Sequence, residues 1–166
     1  MYTKKDLIAS LETEVRIIKH LASQLGEDHY EFKPTDSQRT VLELLQYLSF
    51  VAGTQTRAII EGDVEVFKNN AFAAKSLTAD EFEAKMDSEM NYMRDRINDL
   101  SNEDIDEEVE LFGITASRGA LLVEFPLKHL VAYRMQLFLY AKHAGLADLD
   151  TWDAWRGMSN PNKSER

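Results

Sequence analysis

His129 and Tyr133 are the residues whose types and spacing point to chemistry in this 166-residue chain. An imidazole titrates near neutrality, so it can act as a general base. A phenol beside it can serve as an acid or hydrogen-bond donor. Residues four apart share a face of a helix, so the two side chains are expected to project together.

That pair needs an element to position it. The stretch from Ser117 to Gly145, SRGALLVEFPLKHLVAYRMQLFLYAKHAG, reads as one long helix. Leu122, Phe125, Leu130, Leu137 and Tyr140 fall close to helical spacing and bury one side of it. Ser117 is placed to cap its start. Pro126 removes an amide donor and is expected to bend it about one turn before His129.

Three more helices must pack against this one. Leu7, Leu11, Val15, Ile18, Leu21 and Leu25 recur at intervals of three and four, and Gly26 follows as an expected left-handed stop. Thr40-Val-Leu-Glu43 forms a capping box that opens a helix running to about Glu61, with Gly62-Asp63 as its end. Its stripe is Val41, Leu44, Leu45, Leu48, Val51, Ala52 and Ile59, and Tyr47 leans inward with it. Gly53 in mid-helix costs about 1 kcal/mol against alanine, which close approach of another backbone would offset. Thr78-Ala-Asp-Glu81 is a second capping box, followed by a seam of Phe82, Met86, Met90, Met93, Ile97 and Leu100 in which methionine serves as core filler.

The connections read as follows. Tyr30 and Phe32 fold back onto the bundle, His20 sits at a boundary and His29 in a solvated loop. Phe67 and Phe72 anchor a short helix and loop. The acidic run from Glu103 to Glu110 lacks the ordered spacing and central glycine of a calcium loop, so it reads as a solvated loop with a short extended piece at Val109–Phe112. Leu149, Trp152 and Trp155 form an apolar flap, and residues 158–166 are expected to be a disordered tail. No segment alternates for long enough to predict a sheet. The expectation is an all-α, antiparallel four-helix bundle over residues 1–157, with short extra helical segments in its connections and at its C-terminal end.

Composition excludes several functions. The formal net charge of -10 argues against a nucleic-acid surface and against adhesion to anionic membranes. No apolar run is long enough for a membrane span, and the start of the chain lacks the apolar core of a signal peptide. A cytoplasmic location follows as the expectation. The chain has no cysteine, which removes disulfides, thiolate catalysis and cysteine-based metal sites. A di-iron bundle needs Glu-x-x-His pairs, yet the residues three before the four histidines are Ile17, Gly26, Pro126 and Tyr140. Phosphate-binding glycine loops and serine-nucleophile elbows are also missing.

Three stretches carry a family resemblance: FKPTDSQRTVLELLQYL, the SRGALL opening, and KHLVAYRMQLFLYAKHAG. Together they resemble the DinB-like superfamily of four-helix bundles. The last stretch is similar to that family's closing pattern of His, three residues, His, Arg, one residue, Gln-Leu. In metal-binding members the resemblance implies three histidine ligands, one on the second long helix and two on the fourth. Those positions hold Tyr47, His129 and Tyr133 here. Neutral phenols are poor ligands for zinc or nickel, so the expectation is no cofactor, with any retained zinc or nickel at His129. Glu124, five residues before His129, points elsewhere on the helix. The three residues are expected to form a hydrogen-bonded pocket at the former metal site, with Arg134 and Gln136 nearby. Two roles are open: with two ligand histidines lost, a non-catalytic or small-molecule-binding homodimer paired through exposed apolar helix faces; or, as the resemblance implies for some relatives, a metal-dependent hydrolase or thiol transferase acting on small molecules.

Overall fold

Two threonines set the starts of the helices that frame the core. The Thr3 hydroxyl accepts from the Asp6 amide and opens α1, Lys4–Ser23. After the short α2, Glu27–Tyr30, Thr40 and Glu43 close the expected capping box at 3.2 and 2.8 Å and open α3, Val41–Glu61. Gly62, at φ +70°, stops α3 in the left-handed conformation that glycine adopts without strain. The computed structural model describes residues 2–162; residues 163–166 of the expected tail lie outside them.

The chain continues through α4, Val66–Ala74, and a single 3-10 turn at Ala79–Glu81 into α5, Phe82–Asp99. Next come α6, Asn102–Asp106, and the strands β1, Glu108–Leu111, and β2, Ile114–Ser117. Ser117 caps α7, Arg118–Leu122, which runs through a π turn at Val123–Leu127 into α8, Lys128–His143. Pro126 lies inside that π turn, where the looser spacing accommodates its missing amide hydrogen. The last element is α9, Thr151–Arg156.

α1 packs on α5 and α8, and α3 packs on the same two, giving an all-α four-helix bundle. Its centre holds Leu11, Ile18 and Leu21 of α1, Leu44 and Leu48 of α3, Met93 and Ile97 of α5, and Leu130 and Leu137 of α8. Among the described residues, no helix is long and apolar enough to cross a membrane.

Several expectations need correction. Gly26 is extended, at φ -117°, and caps α2 instead of closing α1 in the left-handed region. The acidic loop contains α6 and one antiparallel hairpin, with Glu108 opposite Ser117 and Leu111 opposite Ile114. Its turn puts Phe112 and Gly113 at φ 53° and 78°, the double left-handed geometry of a tight hairpin. Phe72 is 80% exposed and anchors nothing, and Trp155 is 61% exposed on the outer side of the flap whose Leu149 is buried. Gly53 makes room for a carboxylate, not a backbone: a Cβ there would lie 1.8 Å from Glu89 Oε2. Glu89 is buried between Arg57 and Lys85, at 2.6 Å from each. Asn160, expected in the tail, donates its amide to the Asp150 carboxylate at 3.0 Å.

Candidate functional site

The first turn of α8 leaves the π turn carrying His129, and Tyr133 follows one turn later on the same side. Their rings stack at 6.0 Å with planes 24° apart. Tyr47, from the second turn of α3, meets Tyr133 at 4.8 Å between ring centroids. The structure therefore brings the three residues together, each half-buried. Burial, and then the charge and hydrogen bonding of the Tyr133 phenol, push the Tyr47 phenol far above its ordinary range. It is neutral at any physiological pH.

His129 Nδ1 lies 2.9 Å from the Phe125 carbonyl oxygen. A carbonyl can only accept, so Nδ1 carries the proton and the neutral ring keeps its lone pair on Nε2. The imidazole is thereby fixed in one tautomer with one basic nitrogen uncommitted by that bond.

More rings extend the cluster at both ends. Phe125 stacks on His129 at 6.3 Å, Phe112 of the hairpin turn lies 5.7 Å from Phe125, and Phe67 of α4 lies 5.1 Å from Phe112. On the other side Phe50 meets Tyr47 edge-on at 5.6 Å, and the Arg39 guanidinium sits 4.4 Å from the Tyr47 ring centroid. A groove of about 450 Å³ opens beside Tyr47, between α3 and α4. His129 and Tyr133 do not line it. Arg39, Phe50 and the hairpin's Phe112 were not singled out from the sequence: their contacts join separate elements, and local periodicity carries no trace of them.

Arg134 and Gln136 belong elsewhere. Arg134 is buried, pairs with Glu14 of α1 at 2.8 Å, donates to the Ala154 carbonyl and lies 4.7 Å from the Trp155 ring. Gln136 donates to the Tyr140 hydroxyl at 2.8 Å. Glu124 pairs with Lys128 on the exposed side. Likewise His20 is drawn into an ion-pair geometry with the buried Asp153 of α9, at 2.8 Å.

No protein-family profile matches the chain. The uncharacterised protein YjoA of Bacillus subtilis is 22% identical over 152 residues, 90% of this chain and 96% of YjoA. The crystal structure of that DinB-like protein superposes with a TM-score of 0.70 at 20% identity, over 88% of this chain and 96% of its own. A candidate DinB-family member from Exiguobacterium sibiricum superposes with a TM-score of 0.71 at 22% identity, over 89% and 94% of the two chains. The fold is that of the DinB-like proteins.

For a DinB-like bundle the residues at this position matter more than the scaffold. The resemblance implies three histidines, but this chain offers one imidazole and two phenols, one of them held firmly neutral by burial and its neighbour. Such a donor set does not fit a divalent transition metal. Among the described residues no group of three or more His, Cys, Asp or Glu is placed to hold one. What the arrangement offers chemically is an aromatic surface, one oriented imidazole and an adjoining groove.

Proposed function

We propose that this DinB-like chain binds a small molecule without a metal, in the groove walled by Tyr47 and adjoining the stacked pair of His129 and Tyr133. The observation that carries this is the groove of about 450 Å³ walled by Tyr47, whose ring is packed against Tyr133. Concave sites lined by aromatic side chains with a few polar groups are where small ligands bind. A thermal-shift screen on tag-free protein tests it. Compounds should raise Tm equally before and after chelation, and Tyr47→Ala should abolish the effect. Hits that all need added metal, or no hits at all, would overturn the proposal.

A second reading, a hydrolase or thiol transferase acting on small molecules, is favoured by the free lone pair on His129 Nε2. Saturable turnover of thiol conjugates, lost in His129→Gln, supports it over simple binding. The protein is further proposed to be a cytoplasmic homodimer with no nucleic-acid or membrane partner. Val131 and Leu139, 37% and 47% exposed and eight residues apart on α8, support an apolar pairing face. Light scattering at micromolar concentration checks this: a clear monomer removes the dimer.

A further inference from the structure

The α3–α4 groove carries features that favour one class of ligand. Its α3 wall is built from Arg39, just before the helix, and from Glu43, Gln46, Tyr47 and Phe50, which follow at helical spacing. Across from them α4 presents Ala71 and Ala74, and these short side chains leave the space open. Both ends are tied. The Gln46 amide donates to the carbonyls of Lys75 and Leu77 at 3.2 and 3.0 Å, and Asn70 donates to the Thr54 hydroxyl at 2.7 Å. The walls are thus held apart by hydrogen bonds, which favours a largely pre-formed site.

Charge in the groove runs against that of the chain: its lining holds Arg39 and Lys75 with one carboxylate, Glu43. The chain carries a formal net charge of -10, and Lys19, Arg57, Lys85, Arg94, Arg118, Lys128 and Arg134 are each engaged by a carboxylate. Arg39 and Lys75 both line the groove, and among the described residues neither has an ion pair. The one acidic residue on the walls, Glu43, turns its carboxylate to the Thr40 amide at 2.8 Å in the capping box. The Tyr47 ring, with the Arg39 guanidinium over it, and the edge of the largely buried Phe50 thus lie beside two cations without a carboxylate partner among the described residues.

We propose that this groove takes a small organic anion with a flat apolar body, of the aromatic carboxylate class. The ring would pack against Tyr47 and Phe50, and the carboxylate would accept from Arg39 and Lys75. The inference rests on the small-molecule reading above and narrows it.

Calorimetric titration with 2-naphthoate and with its neutral counterpart 2-naphthylmethanol tests the assignment. The expected result is about tenfold tighter binding of naphthoate, a preference that shrinks as salt is raised. The double variant Arg39→Gln/Lys75→Gln, on the exposed rim, should keep its fold by circular dichroism and lose the preference. Ala71→Leu should weaken both probes by filling the groove. Equal binding of the two probes, or an unchanged preference in the double variant, overturns the anion assignment while leaving small-molecule binding standing. If neither probe binds, the assignment fails; if the thermal-shift screen is also blank, the broader reading fails with it.

Discussion

The rings of Tyr47 and Tyr133 meet at 4.8 Å with their planes 58° apart, joining α3 to α8. Aromatic pairs in this range add about 1 kcal/mol beyond the area they bury. Tyr47→Phe keeps the ring and should cost less than about 1 kcal/mol. Tyr47→Ala removes a half-buried ring and should cost about 2 kcal/mol, below the value for a fully buried aromatic. Urea unfolding measures both. Equal losses in the two variants would mean that the hydroxyl, not the ring, carries the contact.

Gly53 offers a sharper test, because its cost and its purpose oppose each other. Alanine should favour the helix by about 1 kcal/mol. Its Cβ would nevertheless strike the Glu89 carboxylate, which would have to leave Arg57 and Lys85. Gly53→Ala is therefore expected to destabilise by about 2 kcal/mol, the penalty of disturbing a buried pair outweighing propensity. In a Glu89→Ala background the same change should become stabilising. A stabilising effect in the wild-type background would show that the carboxylate moves aside freely.

Arg134 and Glu14 form a pair whose loss should depend on pH. Burial raises the Glu14 carboxyl above its ordinary 4.5, and Arg134 pulls it back down. Without the guanidinium, as in Arg134→Met, Glu14 moves higher still. A group whose folded pKa is raised keeps its contribution below the unfolded pKa and loses it as pH rises through the folded value. The deficit of Arg134→Met should thus be small below about pH 4.5 and should widen towards about 3 kcal/mol near neutrality. Chemical denaturation across that range reads it, and a pH-independent deficit would contradict the assignment.

Alkaline behaviour is also set by buried phenols. Burial first, then the Glu61 carboxylate beside it, pushes Tyr92 up to about 12. Tyr47 is raised further. Folding stability should therefore fall between pH 10, where an unfolded tyrosine ionises, and pH 12, because the unfolded chain releases its protons first. Phenolate absorbance should show at least two tyrosines titrating late, and Tyr47→Phe should remove one. A single titration near the ordinary tyrosine value would contradict the burial of both.

Helix ends were largely legible in the sequence, because capping is local chemistry. Thr40 with Glu43, Ser117 before α7 and Gly62 after α3 all act as their residue types require. The methionine seam was legible for a related reason: Met86, Met90 and Met93 recur at helical spacing and are all buried. Of the hairpin only the extended piece at Val109–Phe112 was legible, matching β1; its partner strand was not, since it spans only four residues and its Ile114 is exposed. Gly53 reads from the sequence as a site of close backbone approach, whereas what approaches it is the Glu89 carboxylate, 36 positions along the chain on α5. The association of Tyr47 with His129 and Tyr133 came from the family resemblance, because contacts between helices leave no local periodicity.

The spacing of apolar residues in the last long helix carries one local trace of the site's geometry. The apolar row of the last long helix steps by three from Leu122 to Phe125, then by five to Leu130. That five is the π turn. Each residue of an α-helix advances about 100° around the axis, so the extra position is a phase slip between the two halves of the helix. It brings Leu122 and Leu130, which a uniform α-helix would set about 80° apart, closer to one line, and both are buried in the core. Deleting a single residue between Val123 and Leu127 would turn all of α8 by about 100° against α7. Tyr133 would swing off Tyr47, and the imidazole would point into new surroundings with every side chain intact. The address of the candidate site is thus written in the count of residues before His129 as much as in the residues themselves.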